Sequence, residues 1–126
     1  MKRLYIAVTL LVAVAGLCLL THWSHHRQLD AMLTELEHIE SLHHNGDSEG
    51  ALHAAEAFTM DYQRLSNRIS IYVPHGEIRE SQETAAMLPA LLREGSDEEL
   101  AMEIARLRAQ IKYLQQVDDP LLQNIL

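Results

Sequence analysis

A single cysteine, Cys18, is available to this chain, so no intramolecular disulfide can form and the fold must stand on packing. Aromatic residues make up only 5% of the sequence, with 1 Trp, 1 Phe and 4 Tyr. Strands prefer aromatic and β-branched residues, so this shortage argues against a sheet. Only 3 prolines and 5 glycines interrupt the chain. Positive charge is also scarce: 10 Lys and Arg stand against 18 Asp and Glu, a formal net charge of -8. An acidic domain repels phosphate backbones, which excludes nucleic acid as an expected partner. The same charge keeps the domain from lying flat on anionic lipid. No Ser or Cys nucleophile motif, glycine-rich phosphate loop or paired zinc-ligand motif occurs. No cofactor is implied, and the expectation is a protein that is not an enzyme.

What is present begins with a long uncharged run, LYIAVTLLVAVAGLCLL, at residues 4–20. As a helix it spans about 25 Å, against a bilayer core of about 30 Å. Thr21, His22 and Trp23 extend it, and Trp23 suits a water interface. Residues 4–23 are therefore expected to contact the lipid bilayer as a single-pass signal-anchor. Lys2 and Arg3 precede the run, and only Arg27, with Asp30 nearby, follows closely. The positive-inside rule then puts the N-terminus in the cytoplasm and the rest outside the cell membrane. A cleaved signal peptide is the competing reading, with Ala13-Val14-Ala15 as its site, but the apolar run continues past Ala15. Leu17 before Cys18 does not fit a lipoprotein site, and Cys18 reads as a small apolar residue of the span.

Beyond the anchor (1–23), residues 24–126 read as one extracytoplasmic helical domain. Leu29, Met32, Leu36, Ile39 and Leu42 or His43 recur at three- and four-residue steps, the stripe of a packed helix. Asn45-Gly46 ends it and Asp47 caps the next helix, which carries Leu52, Ala55, Phe58, Tyr62, Leu65, Ile69 and Tyr72. Pro74 stops that helix. A third begins near Gly76 or Glu77, carries Ile78, Ala85, Leu88 and Leu92, and ends at Gly95. Ser96 and Glu99 form a capping box for a fourth, with Leu100, Ile104, Leu107, Ile111 and Leu114. Pro89 lies inside the third helix and predicts a kink or break near Ala85–Leu88.

LHHNGDSEGAL at residues 42–52 returns as LLREGSDEELA at 91–101. A shift of 49 residues lays Leu29 on Ile78, Gly46 on Gly95, Asp47 on Ser96, Phe58 on Leu107 and Leu65 on Leu114. Apolar positions meet apolar positions and caps meet caps. The fold class is all-α: two hairpins (24–73 and 76–117) whose apolar faces pair into an antiparallel four-helix bundle. A short helical-hairpin solenoid is the alternative. A long coiled coil is disfavoured, because Gly46 and Gly95 fold the heptads back.

Candidate chemistry is thin. His22, His25 and His26 share a helix face at a spacing that can bind a metal or sense pH, but a polar collar at the interface is the favoured reading, because no carboxylate or cysteine joins them nearby. His43 and His44 suit a helix C-terminus. His75 and Glu77 in the inter-hairpin loop are an interaction candidate, as is the tail at 118–126, where Leu122, Asn124, Ile125 and Leu126 are unusually apolar for a chain end. The tail is expected to fold back on the bundle or dock on a partner.

The short basic N-terminus, the one span, the Gly46-Asp47 turn, His75-Gly76-Glu77-Ile78, the second helical pair and Asn124-Ile125-Leu126 together resemble a family. It is the bacterial domain-of-unknown-function family numbered 4363, small proteins of spore-forming Firmicutes. The resemblance covers essentially the whole chain. It implies a small anchored helical protein with no assigned activity and no catalytic residues to carry over. The function expected is an accessory or interaction module for a membrane protein partner, or one that self-associates. The alternative is an extracytoplasmic module sensing a small ligand or metal through its histidines.

Overall fold

The computed structural model describes residues 1–70 and 75–118. Four helices follow one another: α1 (Lys2–His44), α2 (Ser48–Ile69), α3 (His75–Glu94) and α4 (Asp97–Asp118). α1 packs on α2 and α4, and α3 packs on α2 and α4. Four antiparallel neighbours thus close a ring, and the contact between the first and last helix is what a solenoid would lack. The chain is an all-α bundle.

The two turns explain the repeated sequence. Gly46 (φ 84°) and Gly95 (φ 74°) both take the left-handed conformation in which a Cβ is strained. At the first turn the Asp47 N–H donates to the Leu42 carbonyl (2.9 Å) and the Gly46 N–H to the His43 carbonyl (3.1 Å), a Schellman closure. At the second, the Gly95 and Ser96 N–H groups both donate to the Leu91 carbonyl. Leu42 and Leu91 are equivalents under the 49-residue shift, so the repeat is a repeat of backbone geometry. Asp47 then caps α2, its side chain accepting from the Gly50 N–H at 3.0 Å. Its carbonyl receives the Ala51 N–H, just as the Ser96 carbonyl receives that of Leu100.

The expected stripes are buried on all four helices. Leu29, Met32, Leu36 and Ile39 from α1 meet Phe58, Tyr62 and Leu65 of α2, Ile78 and Leu88 of α3, and the whole Leu100-to-Leu114 stripe of α4. Phe58 and Tyr62 stack with ring centroids 5.8 Å apart. Two positions differ by one residue: Ala51 and Leu91 are buried, whereas Leu52 and Leu92 are half-buried. Reading only large side chains also missed Ser81 and Thr84, both buried. They can be buried because each hydroxyl finds a carbonyl in its own helix: Ser81 donates to Ile78 (2.8 Å) and Thr84 to Glu80 (2.9 Å). Ser81 in turn accepts from the Tyr62 hydroxyl at 2.6 Å. Burial raises the Tyr62 pKa.

The break expected at Ala85–Leu88 does not occur: α3 runs without interruption through a buried Pro89. Proline lacks the N–H that would reach the Ala85 carbonyl four residues back. A neighbouring helix supplies a donor instead. The Thr59 hydroxyl of α2 lies 3.1 Å from the Ala85 carbonyl and 2.9 Å from that of Ala55, so its one proton is shared between them.

α1 crosses the expected boundary at residue 23 as one continuous helix. Its 43 residues reach about 65 Å at 1.5 Å per residue. Residues 4–20 are exposed, with Leu4, Tyr5, Ile6, Leu11, Leu17 and Leu20 uncovered, and burial begins at Leu29. The α1 helix is long and apolar enough to cross a membrane. Tyr72, Pro74 and the tail with Leu122, Asn124, Ile125 and Leu126 lie outside the described residues.

Candidate functional site

The ring sorts the polar residues into two ends. The turns at Gly46 and Gly95 form the end far from the apolar run, which we call distal. The other, proximal end holds His22, His25 and His26 on α1, the last turn of α2, and His75 at the start of α3.

Of the three α1 histidines, His22 and His26 have ring centroids 6.2 Å apart and tilted planes. His26 Nδ1 lies 3.5 Å from Asp30 Oδ2. Among the described residues, no group of three or more His, Cys, Asp or Glu side chains is placed to hold a metal ion. Zinc is therefore expected to leave the melting temperature of the purified chain unchanged, since metal bound only by the folded state would raise it. A rise of several degrees in a melt with equimolar zinc would reinstate the histidine site.

His75 and Glu77 differ in their surroundings. His75 is exposed, while Glu77 turns toward α4 and meets Tyr113. The hydrogen bond to the Glu77 carboxylate, followed by its charge, raises the Tyr113 pKa.

Among the described residues, three side-chain links hold α1 to α4, and periodicity gave no sign of them. Gln115 Nε2 donates to Asp30 Oδ1 at 2.7 Å. The Arg108 guanidinium pairs with the Glu40 carboxylate. His43 Nε2 lies 2.9 Å from Asp97 Oδ1. The last two border a cleft of about 500 Å³ lined by Glu37, Ser41, His44 and Ala101 among others. The partners stand 54 to 85 residues apart, beyond the reach of any local pattern. His43 thus does more than face the α1 dipole: it fastens the distal end of the ring.

Across α1 and α2, Glu35 sits near Asp61. Partial burial first, and the Asp61 charge second, raise the Glu35 pKa. A carboxyl with a folded-state pKa above its unfolded value penalises the native state once ionised. The penalty is absent below the unfolded pKa and complete above the folded one. Glu35→Gln is therefore expected to melt higher than the native chain at pH 7, with the gain shrinking as pH falls toward the usual carboxylate range and gone below it. A gain independent of pH would assign the effect to something other than ionisation.

The fold and its polar links define a helical bundle carried on one long, partly apolar helix. The profile of the family described as "Domain of unknown function (DUF4363)" matches residues 21–125, and the chain belongs to that family. The match starts at Thr21, where the exposed apolar run ends, and takes in the whole bundle. No curated protein and no solved structure matches this chain at a significant level.

Proposed function

We propose that the protein is a non-enzymatic, single-pass interaction module that holds an acidic bundle outside the cytoplasm against a membrane protein partner. The observation that carries this reading is the continuity of α1. The exposed apolar stretch of residues 4–20 and the core face from Leu29 to Ile39 belong to one unbroken helix. An anchor joined in this way holds the bundle at a set height and rotation above the bilayer, which suits presentation of a surface to a neighbour in the same membrane. The internal polar groups support the same reading, since Tyr62, Ser81 and Thr59 are spent on holding α2 to α3 and Thr84 on its own helix.

Lys2 and Arg3 before the run support a cytoplasmic N-terminus. A cysteine placed at the exposed distal position Glu98 is then expected to react with a membrane-impermeant maleimide in intact cells. Labelling only after lysis would reverse the orientation.

The partner is tested by cross-linking in intact native cells, followed by solubilisation and mass spectrometry. One recurrent membrane protein is the expected result. Self-cross-links alone would overturn the accessory reading and make the protein a homo-oligomer.

A further inference from the structure

Charge is distributed unevenly along the bundle. Residues 37–58 and 85–107, the distal half, carry ten acidic side chains against two basic ones. Residues 27–36, 59–84 and 108–118, the proximal half, carry seven against six. The arginines also differ in what they touch. Arg93 pairs with Glu56 at 2.6 Å, Arg106 with Glu103 at 3.4 Å, and Arg108 with Glu40. At the proximal end, Arg27 and Arg68 have no carboxylate partner among the described residues. Arg27 lies over the Trp23 ring instead, 5.2 Å from its centroid. Arg68 shares a groove between α1 and α2 with Gln28 and Arg64, which sets it level with Arg27. The carboxylates of Asp30 and Asp61, on the same two helices, are engaged: Asp30 by His26 and Gln115, and Asp61 by Arg64.

We infer that Arg27 and Arg68, with Trp23, form a collar that binds the phosphate of anionic phospholipid headgroups. The inference rests on residues 4–20 spanning the membrane. In that case the hydrocarbon core ends near Trp23, and the headgroup layer, about 5–7 Å deep on each side and therefore about four helical residues thick, takes residues 24–27. Trp23, 59% exposed, has the amphipathic ring that settles at this depth. The guanidinium fork matches a phosphodiester with two parallel N–H donors. The carboxylate-rich distal half is repelled by the same lipids, so attraction at one end and repulsion at the other hold the bundle upright. A free anion in solution meets only the net negative field of the whole domain, whereas a lipid is delivered to the collar by the span itself. Lipid is therefore the favoured source of the phosphate.

The test uses the full chain in zwitterionic micelles. Its melting temperature is followed as phosphatidylglycerol, phosphatidylcholine or inorganic phosphate is added. Phosphatidylglycerol is expected to raise it, and the other two to leave it nearly unchanged. Each juxtamembrane arginine is expected to contribute about fivefold in affinity. The R27Q/R68Q variant should then need at least about tenfold more phosphatidylglycerol for the same shift, while R93Q/R106Q, with the same net charge, should respond as the native chain does. Equal responses to the two lipids, equal losses in both variants, or a matching effect of inorganic phosphate would each overturn the collar. Alkaline carbonate extraction of vesicles holding the chain tests the span separately. A failed span releases the protein from any lipid, whereas a failed collar leaves it embedded without a lipid preference.

Discussion

Replacing Leu107 by alanine is expected to lower the stability of the bundle by about 2–5 kcal/mol. Leu107 is fully buried in the α4 stripe, between Ile104 and Ile111, and belongs to the cluster that also holds residues of α1, α2 and α3. Truncation there removes apolar contacts within that cluster and leaves a cavity that four packed helices cannot easily close. Denaturant unfolding of the detergent-solubilised chain measures the loss. Ala105, two positions away and exposed, supplies the control: Ala105→Ser should change stability by no more than about 0.5 kcal/mol. An unchanged midpoint for Leu107→Ala would mean that α4 presents a different face to the core.

The second large effect concerns the proline in α3. Thr59→Val keeps the shape of the side chain and removes the hydroxyl that serves the Ala85 carbonyl. That carbonyl loses its proline-denied partner a second time, and a buried acceptor left unpaired costs about 1–3 kcal/mol. Pro89→Ala restores an N–H at the position that can bond Ala85 within α3, so Thr59 becomes less necessary. The double-mutant cycle is the decisive measurement. Thr59→Val is expected to cost clearly more beside Pro89 than beside Ala at position 89. Equal costs in the two backgrounds would show that the hydroxyl acts on Ala55 alone and that the continuity of α3 has another cause.

Much of this fold is legible in the residue order, because helix periodicity and helix ends are local. The α4 stripe from Leu100 to Leu114 can be counted at steps of three and four, and every member is buried. Gly46 and Gly95 announce the turns, since few other residues accept their positive φ. What was missed depends on two helices at once. Ser81 looks like a surface residue until Tyr62 of the neighbouring helix is placed. Pro89 looks like a helix breaker until Thr59 is placed. The contact of Glu77 with Tyr113 is likewise invisible until α4 is placed. The proximal collar follows the same rule: Arg27 and Arg68 are unremarkable in sequence and become neighbours in height only through the α1–α2 pairing.

The sequence by itself determined how many helices form, where they turn and which face each buries, because 3.6-residue periodicity, glycine caps and charge are properties of short stretches of chain. The tertiary structure alone decided that α4 closes the ring on α1. Gln115–Asp30, Arg108–Glu40 and His43–Asp97 join residues with no local relation. Their pairing depends on how the helices are rotated about one another, and that rotation is settled by the packing of all four stripes together.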